Sequence, residues 1–211
     1  PATFEEMVGQ NSIVNTLKDA IKNNQLAHSY LFCGPRGVGK TTCARIFAKE
    51  INQFNNDSYA DDFSYNIFEL DAASNNSVDD IRNLTEQVRV PPQIGKYKVY
   101  IIDEVHMLSS QAFNAFLKTL EEPPVHAKFI LATTEKHKII PTIMSRCQIF
   151  DFKRVGINDI INHLLFVSEK ENINSEKDAL ALIAEKSDGS VRDSLSLFDR
   201  LVSYSEYTLT Y

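Results

Sequence analysis

Apolar and polar residues follow one another along residues 1–155 in an order that predicts strands and helices in turn. Short apolar runs have the composition of buried strands, and between them apolar residues recur every three or four positions, as on one face of a helix. The five predicted strands comprise residues 29–33, 66–71, 98–102, 128–134 and 148–152. Because strands that alternate with helices form a parallel sheet covered by helices, the sequence predicts an α/β domain with its ligand site at the carboxyl ends of the strands.

The pattern changes near residue 156, after which apolar residues recur only with helical spacing. Three helices are predicted there, around residues 160–165, 179–183 and 191–198. A change from alternating strands and helices to helices alone is typical of a domain boundary. The sequence therefore predicts a first domain of residues 1–155 and a small helical domain of residues 156–211.

The composition is that of an ordinary soluble globular protein, with 43% hydrophobic and 24% charged residues. No apolar run approaches the roughly 20 residues needed to cross a bilayer. The 3 cysteines are scattered without metal-ligand spacing, which favours reduced thiols and a cytoplasmic location. A net charge of −6 argues against a nucleic-acid-binding surface over the whole molecule but leaves room for a local basic face. Because the chain begins at Pro1 without methionine, we expect a fragment of a longer protein.

A glycine-rich stretch connects the first predicted strand to the next helix, and its residues 34–41 read GPRGVGKT. It fits G-x-x-x-x-G-K-[ST], the P-loop, in the strand–loop–helix context that this motif requires. Glycines let backbone N–H groups approach phosphate oxygens, Lys40 can reach the β- and γ-phosphates, and the Thr41 hydroxyl can bind Mg²⁺. An ordinary glycine turn is the alternative, but a chance match in such a chain is on the order of one in a hundred. The stretch predicts a nucleotide-phosphate site.

Two acidic residues, Asp103 and Glu104, follow the third predicted strand. In the Walker B role, the aspartate holds Mg²⁺ through its water shell, and the glutamate orients and polarises the attacking water. A solvated turn would explain such a pair better on its own. The P-loop about 60 residues upstream favours the Walker B role, because Mg²⁺–ATP requires a carboxylate opposite the Thr41 hydroxyl.

Longer motifs surround these residues, and together they resemble one family. The segments are DEVHML at 103–108, FNAFLKTLEEPP at 113–124, LATT at 131–134, SRC at 145–147 and GSVRD at 189–193. In this order they are similar to the ATPase core of bacterial clamp loaders, the gamma/tau family of DNA polymerase III subunits, which are AAA+ proteins. The resemblance covers nearly the whole chain. It implies a P-loop AAA+ domain with a five-stranded parallel sheet and flanking helices, then a three-helix lid, with the family's C-terminal collar domain absent.

The resemblance also implies roles for single residues. Thr134 matches sensor 1, beside the γ-phosphate, and Arg192 matches sensor 2, on a lid helix that can close over a nucleotide. Arg146 matches the arginine finger that reaches a neighbouring subunit's ATP; without the family pattern, a surface ion pair would explain either arginine better. The residues assigned to catalysis are Lys40, Glu104, Thr134, Arg146 and Arg192. Those assigned to the nucleotide are Phe4, Val8, Gly9 and Gln10 around adenine, then Pro35, Arg36, Gly37, Val38, Gly39, Lys40, Thr41, Thr42 and Arg192, and those assigned to Mg²⁺ are Thr41 and Asp103.

The partners that the resemblance implies are other clamp-loader subunits, the sliding clamp and primer–template DNA. In related proteins a basic segment after the second strand follows the DNA backbone. Here that segment holds Asn75, Asn76 and Ser77, which can still hydrogen-bond phosphate, and Arg82 follows. An exposed helix arginine beside Asp79 is an equal alternative for Arg82.

One departure from the family concerns zinc. The family usually carries a four-cysteine zinc module between the P-loop helix and the second strand, whereas residues 52–64 contain no cysteine. Either this member lacks the module or those residues were removed or left out. The sequence as written predicts no zinc site, and it predicts a surface excursion over residues 52–64.

The sequence therefore predicts an ATP-hydrolysing subunit of the bacterial replicative clamp loader, with ATP and Mg²⁺ as ligands. Two alternatives stay open: another AAA+ DNA-remodelling ATPase, such as a branch-migration motor or a helicase-associated ATPase, and a clamp-loader stator that binds nucleotide without hydrolysing it. Because the family assembles mainly through the collar domain, we expect this chain alone to be largely monomeric and to hydrolyse ATP poorly. No membrane partner is expected.

Overall fold

The computed structural model describes residues 1–53, 63–204 and 208–210. Over these ranges the helices are α1 (Asn11–Lys22), α2 (Lys40–Gln53), α3 (Val78–Val88), α4 (Ser110–Glu121), α5 (Pro141–Met144), α6 (Ile157–Lys170), α7 (Lys177–Lys186) and α8 (Val191–Tyr204). The strands are β1 (Ser29–Cys33), β2 (Ile67–Asp71), β3 (Lys98–Asp103), β4 (Ala127–Thr133), β5 (Gln148–Asp151), β6 (Asn174–Ser175) and β7 (Thr208–Leu209). None of the described helices is long and apolar enough to span a bilayer.

The first five strands form one parallel sheet in the order β2-β3-β4-β1-β5. Strand β4 lies between β3 and β1, with Cys33 of β1 opposite Thr133 and Ile102 of β3 opposite Leu131. Parallel strands end at the same edge of a sheet, so the segments that follow β1, β3 and β4 lie side by side. This arrangement places the P-loop, the two acids and the sensor segment at one edge.

The sheet is covered by helices on both faces, which explains why its central strands are continuous apolar runs. Every residue of β1 and β4 is buried, as expected for parallel strands packed on two sides. One face packs against α1 and α2, where Leu17 and Phe47 are fully buried. The other packs against α3 and α4, where Ile81 and Phe116 are fully buried. Two apolar cores therefore hold the P-loop helix and the helix of the family motif against the same sheet.

The last three helices have an apolar core of their own. Leu164 of α6, Leu180 of α7 and Phe198 of α8 meet in it with at most 1% of their surface exposed, and Val155 joins it from the preceding segment. Strands β6 and β7 form a small parallel pair beside these helices. The expectation of helices alone after residue 156 was therefore wrong in this detail, because two-residue strands are too short to leave a periodic pattern. The division into domains at residues 155 and 156 stays a prediction.

The predicted fold class is confirmed, and most predicted bounds lie within one residue of those found. Strand β4, for example, begins and ends one residue earlier than the predicted 128–134. A capping box begins α3, since Ser77 Oγ accepts the N–H of Asp80 at 3.2 Å and the Asp80 carboxylate accepts the N–H of Ser77 at 3.1 Å. The four-residue helix α5 was not predicted. Of the surface excursion predicted over residues 52–64, residues 54–62 lie outside the described ranges.

A buried lysine at the opposite edge of the sheet gives a prediction about stability. Lys128, at the start of β4, is 4% exposed; its Nζ donates to the Leu26 carbonyl oxygen at 3.3 Å and lies 5.0 Å from the centre of the Tyr97 ring. Burial, aided by Lys96, lowers the pKa of Lys128 from 10.5 to about 8. Because the folded state binds this proton more weakly than the unfolded chain does, the charged side chain destabilises the fold at pH 7, and the destabilisation disappears as the pH rises from 8 to 10.5.

We therefore expect Lys128→Met, which keeps the length of the side chain, to raise the free energy of unfolding at pH 7 by about 2 kcal/mol. The gain should shrink toward zero near pH 10, where the lysine of the folded protein is neutral. Urea unfolding at the two pH values measures both quantities, and Lys49→Met on the exposed face of α2 is the control. A variant less stable than the parent at pH 7 would contradict the prediction.

Candidate nucleotide-binding site

The predicted P-loop leaves the carboxyl end of β1 and enters α2 at Lys40. Gly34 and Gly37 have φ angles of 145° and 76°, a region that favours glycine. A Cβ on Gly34 would overlap the Phe152 carbonyl oxygen, and one on Gly37 would overlap Ser190 Oγ, just before α8. These glycines let the loop pass closely between the segment after β5 and the last helix, and they leave its backbone N–H groups free of neighbouring Cβ atoms.

Lys40, the first residue of α2, is buried in this loop. It is 6% exposed, and its Nζ donates to the carbonyl oxygens of Gly34 at 2.8 Å and Pro35 at 2.7 Å. Burial lowers the pKa of Lys40, and the nearby carboxylates of Glu104 and Asp103 act in the opposite direction. An anionic phosphate is a stronger partner for an ammonium group than a neutral carbonyl is. The loop therefore holds the Lys40 ammonium group where a phosphate could bind.

Thr41 and Asp103 bring together two oxygen atoms from segments far apart in the chain. Thr41 Oγ1 donates to Asp103 Oδ2 at 2.6 Å, and Asp103 Oδ1 accepts the N–H of Glu104 at 2.9 Å. A hydroxyl and a carboxylate from these two positions are the oxygen ligands that Mg²⁺ takes beside a bound nucleotide. The residues assigned to Mg²⁺ from the sequence thus meet and have suitable chemistry.

Glu104 is held by the segment that follows β4. Its Oε2 accepts the backbone N–H of Thr134 at 3.2 Å and the Thr134 hydroxyl at 2.9 Å. Its backbone lies in the left-handed region, with φ 47° and ψ 44°, which is uncommon for a residue with a side chain and indicates a position fixed by its surroundings. The structure thereby joins the predicted water-polarising glutamate directly to the predicted sensor 1 residue.

A cavity of about 330 Å³ opens over these residues, between the P-loop and helices α6 and α8. Arg192 contributes to its wall, and the Arg192 N–H donates to the Gly37 carbonyl oxygen at 3.3 Å, which connects α8 to the P-loop. The residues assigned from the sequence that line this cavity are Val8, Arg36, Gly37, Val38, Gly39, Lys40, Thr41, Thr42, Asp103, Glu104 and Arg192. Most of the predicted phosphate and metal residues therefore face one space.

Four residues assigned to the nucleotide, Phe4, Gly9, Gln10 and Pro35, lie outside the described wall of this cavity. Phe4 is 4% exposed and belongs to the core with α1 and α2. Gln10 Nε2 donates to the Lys153 carbonyl oxygen at 2.7 Å and to that of Val38 at 3.4 Å, which ties the amino-terminal segment to the P-loop. A Cβ on Gly9 would overlap Val155. Contacts of Phe4, Gly9 and Gln10 with adenine, and of Pro35 with the phosphates, stay a prediction.

Arg146 also lies away from the cavity of its own chain. Its guanidinium donates to Glu121 Oε1 at 2.7 Å and to the Thr142 carbonyl oxygen at 2.7 Å, in the turn between α5 and β5. The side chain keeps 33% of its surface exposed. The surface ion pair considered from the sequence is therefore present, and the position also faces outward, as a residue that reaches a neighbouring subunit must.

The wall contains residues that sequence reasoning missed, and most come from α6 and α8. His163 of α6 is one of them, and burial lowers its pKa, which favours the neutral ring. Helical periodicity marks Val191 and Leu195 as apolar positions but does not say which partner they face. The missed residues are Pro1, Met7, His163, Val191, Leu195, Ser196 and Asp199.

The segment considered as a DNA contact, residues 75–77, lies at the surface, and some of its polar side chains form hydrogen bonds within the same turn. Asn75 Nδ2 donates to the Asp71 carbonyl oxygen at 3.1 Å, and the Ser77 hydroxyl caps α3. Asn76 accepts the backbone N–H of Ser109, the residue that caps α4, at 3.3 Å. Arg82 lies 3.3 Å from Asp79 Oδ1, so the exposed ion pair is present. The first turns of α3 and α4 thus lie next to each other on one surface.

Two family descriptions match this chain. Residues 9–156 match the family described as "DNA polymerase III, delta subunit", and residues 159–207 match "DNA polymerase III clamp loader subunit, ATPase lid domain". Curated relatives include the DNA polymerase III subunit tau of Bacillus subtilis, 48% identical over 97% of this chain and 38% of its own length. Another is the subunit tau/gamma of Haemophilus influenzae, 44% identical over 100% of this chain and 32% of its own length. The chain spans about a third of the length of these two relatives.

Solved structures with the same fold include the Thermotoga maritima RuvB Holliday junction branch migration motor. It superimposes with a TM-score of 0.77 at 21% identity, covering 100% of this chain and 68% of that one. A single-residue variant of the same RuvB protein gives a TM-score of 0.78 at 21% identity, covering 99% of this chain and 68% of that one. At this identity the likeness concerns the fold alone.

Proposed function

Because the chain belongs to the family of DNA polymerase III clamp-loader subunits, we propose that it binds and hydrolyses ATP as part of the replicative clamp loader, which loads the sliding clamp onto primed DNA. The observation that carries this proposal is the convergence of Lys40, Thr41 and Asp103 on one cavity at the carboxyl edge of the sheet. The names tau and gamma of the curated relatives support the same assignment.

Nucleotide binding would use the loop backbone and Lys40 for the phosphates. The glycine N–H groups and the amino terminus of α2 offer hydrogen-bond donors to anionic oxygens, and Lys40 adds a positive charge that is already desolvated. Thr41 and Asp103 would hold Mg²⁺, which neutralises phosphate charge when it is bound. Arg192 on α8 would contact the phosphates from the side of the lid.

Hydrolysis would depend on Glu104 as the group that orients a water molecule and accepts its proton. Thr134 fixes the Glu104 carboxylate through two hydrogen bonds, so a change at the sensor position would be transmitted to the base. Arg146 would act in trans, on the nucleotide of a neighbouring subunit, after its guanidinium leaves Glu121. Turnover would therefore require the assembled complex, and a chain that is monomeric by itself would hydrolyse ATP slowly.

Other proposed features follow from the family. Asn75, Asn76, Ser77 and Arg82 would face the DNA backbone, since α3 and α4 direct adjacent helix amino termini toward that surface. The other clamp-loader subunits and the sliding clamp would be the protein partners. The proposed location is the cytoplasm, because the named relatives are bacterial and bacterial DNA is replicated there.

Among the described residues, no group of three or more His, Cys, Asp or Glu side chains could hold a metal ion. The prediction of no zinc falls mainly on residues 54–62, which lie outside the described ranges. It stays a prediction.

A branch-migration motor is the second candidate, and the fold shared with RuvB favours it. Identities of 44–48% to tau and gamma subunits, against 21% to RuvB, favour the clamp loader. Stimulation of ATP turnover by primed DNA together with a sliding clamp, and not by four-way junctions, would separate the two functions. A non-catalytic stator is disfavoured because Lys40, Thr41 and Glu104 are all in place around the cavity.

The proposed nucleotide site is tested by Lys40→Ala. We expect the variant to bind Mg²⁺–ATP about 100-fold more weakly, because it loses a buried, charge-assisted contact to phosphate. Isothermal calorimetry on the folded chain gives the dissociation constant. Lys49→Ala, an exposed lysine on the same helix, is the control and should bind like the parent. Equal affinity in the Lys40 variant and the parent would refute the site.

A further inference from the structure

The imidazole of His106 lies directly behind Glu104, in the short 3-10 turn Val105–Met107 that follows β3. Its side chain is 5% exposed. Nδ1 lies 2.9 Å from Thr133 Oγ1, and Nε2 lies 3.2 Å from Glu135 Oε1. The ring thus contacts the residues on both sides of Thr134, the residue whose N–H and hydroxyl hold Glu104.

The hydrogen-bond partners of His106 determine which ring nitrogen carries the hydrogen. Lys138 Nζ lies 2.8 Å from Glu135 Oε2, and this contact lowers the pKa of the Glu135 carboxyl. An ionised carboxylate only accepts, so Nε2 of His106 must donate to it. Thr133 Oγ1 already accepts the backbone N–H of Glu135 at 3.0 Å, so its own hydrogen is available to Nδ1. A ring with a hydrogen on Nε2 therefore satisfies the contacts with Glu135 and Thr133.

The same ring limits where the Glu104 carboxylate can lie. Glu104 Oε2 is 3.4 Å from His106 Nδ1, while it accepts both hydrogen bonds from Thr134. Because the ring is held by Thr133 and Glu135, it closes one side of the Glu104 carboxylate. His106 therefore fixes the donors on Thr134 through the flanking residues and also closes the space into which Glu104 could turn.

From this geometry we propose that His106 is a positioning residue for Glu104, connecting the turn after β3 to residues 133–135 so that the carboxylate is kept in place for proton transfer. The inference depends on the proposed ATPase function. His106 is not among the described residues that line the cavity, so replacing it should change the rate of ATP turnover and leave nucleotide binding intact.

The test compares His106→Ala and His106→Gln with the parent chain, each assembled with the other clamp-loader subunits. We expect His106→Ala to lower the rate of ATP turnover about 10- to 100-fold, since displacing a catalytic group by about 1 Å has effects of this size. The dissociation constant for Mg²⁺–ATP, measured by calorimetry, should change less than about threefold because no nucleotide contact is removed. The glutamine amide can donate to Glu135 as Nε2 does, so His106→Gln should recover part of the lost rate.

Glu135 and His137 supply the second arm of the test. Glu135→Ala should reduce turnover severalfold, and the double variant with His106→Ala should be no slower than His106→Ala alone, because both changes break the same link. His137 is an exposed histidine whose Nε2 lies 3.6 Å from the same Glu135 carboxylate, and His137→Ala should behave like the parent.

The outcomes separate this inference from the function on which it depends. A parent chain that neither binds nor hydrolyses ATP would refute the proposed function. A parent that turns over, together with an equally fast His106→Ala variant, would overturn the positioning role, as would a rate loss explained entirely by weaker nucleotide binding. If thermal unfolding shows that His106→Ala does not fold, Glu135→Ala decides instead, and a parental rate of turnover in that variant overturns the proposal.

Discussion

Replacing Arg146 with alanine is expected to lower ATP turnover by the assembled clamp loader about 1,000-fold, the scale on which an arginine finger acts. The affinity of the variant chain for Mg²⁺–ATP should not change, because Arg146 lies away from the described wall of its own cavity. Its contacts with Glu121 and the Thr142 carbonyl oxygen, both at 2.7 Å, are near the surface. Losing them should affect stability by less than about 1 kcal/mol.

Arg45 offers a matched control for this experiment. It forms an exposed two-point ion pair with Glu69, with both distances 2.7 Å, and lies outside the described wall of the cavity. Arg45→Ala should leave turnover within about twofold of the parent, since surface ion pairs contribute little. Phosphate release by the assembled complexes and calorimetry on the single chains give the two quantities. If complexes that carry Arg146→Ala hydrolysed ATP at the parental rate, Arg146 would have no role at the nucleotide of a neighbouring subunit.

The second large effect is expected for Glu104→Gln, which should reduce turnover about 1,000-fold at unchanged affinity for Mg²⁺–ATP. Glutamine has nearly the same shape as glutamate, and its amide oxygen can still accept the two hydrogen bonds from Thr134. It cannot accept a proton from water at neutral pH, so only the chemical step should fail.

Glu86→Gln, at an exposed position of α3, is the control for this substitution and should turn over like the parent. Single-turnover phosphate release with the other clamp-loader subunits present measures the rate, and calorimetry measures the affinity. If Glu104→Gln retained more than about a tenth of the parental rate, another group would have to serve as the base.

Three kinds of feature could be predicted from the sequence. Strands such as β1 and β4 are continuous apolar runs because both of their faces are covered, and the helices carry an apolar face at helical spacing, so element type follows from burial alone. The P-loop is equally local, because eight consecutive residues supply the turn, the cation and the hydroxyl. The pairing of Thr41 with Asp103 followed from the chemistry that Mg²⁺–ATP requires of two distant segments.

Other features could not be predicted from the sequence, because they depend on which helices and strands pack together. His163 and Leu195 line the cavity only because α6 and α8 pack next to the P-loop. The family pattern assigned Phe4 to adenine but could not show that this side chain packs into the core with α1 and α2. The histidine at position 106 has no metal-ligand spacing, and only the position of β4 next to β3 places it between Thr133 and Glu135.

The amino-acid sequence by itself determined the alternation of strands and helices, the P-loop and the acidic pair, since each depends on neighbouring residues and on the separation of apolar from polar side chains. The tertiary structure alone decided the strand order, with β4 between β3 and β1. That order brings Thr134 to Glu104, and the packing of α8 against the P-loop closes the cavity. Both depend on contacts between segments that are far apart in the chain, and such contacts form only over about 3 Å.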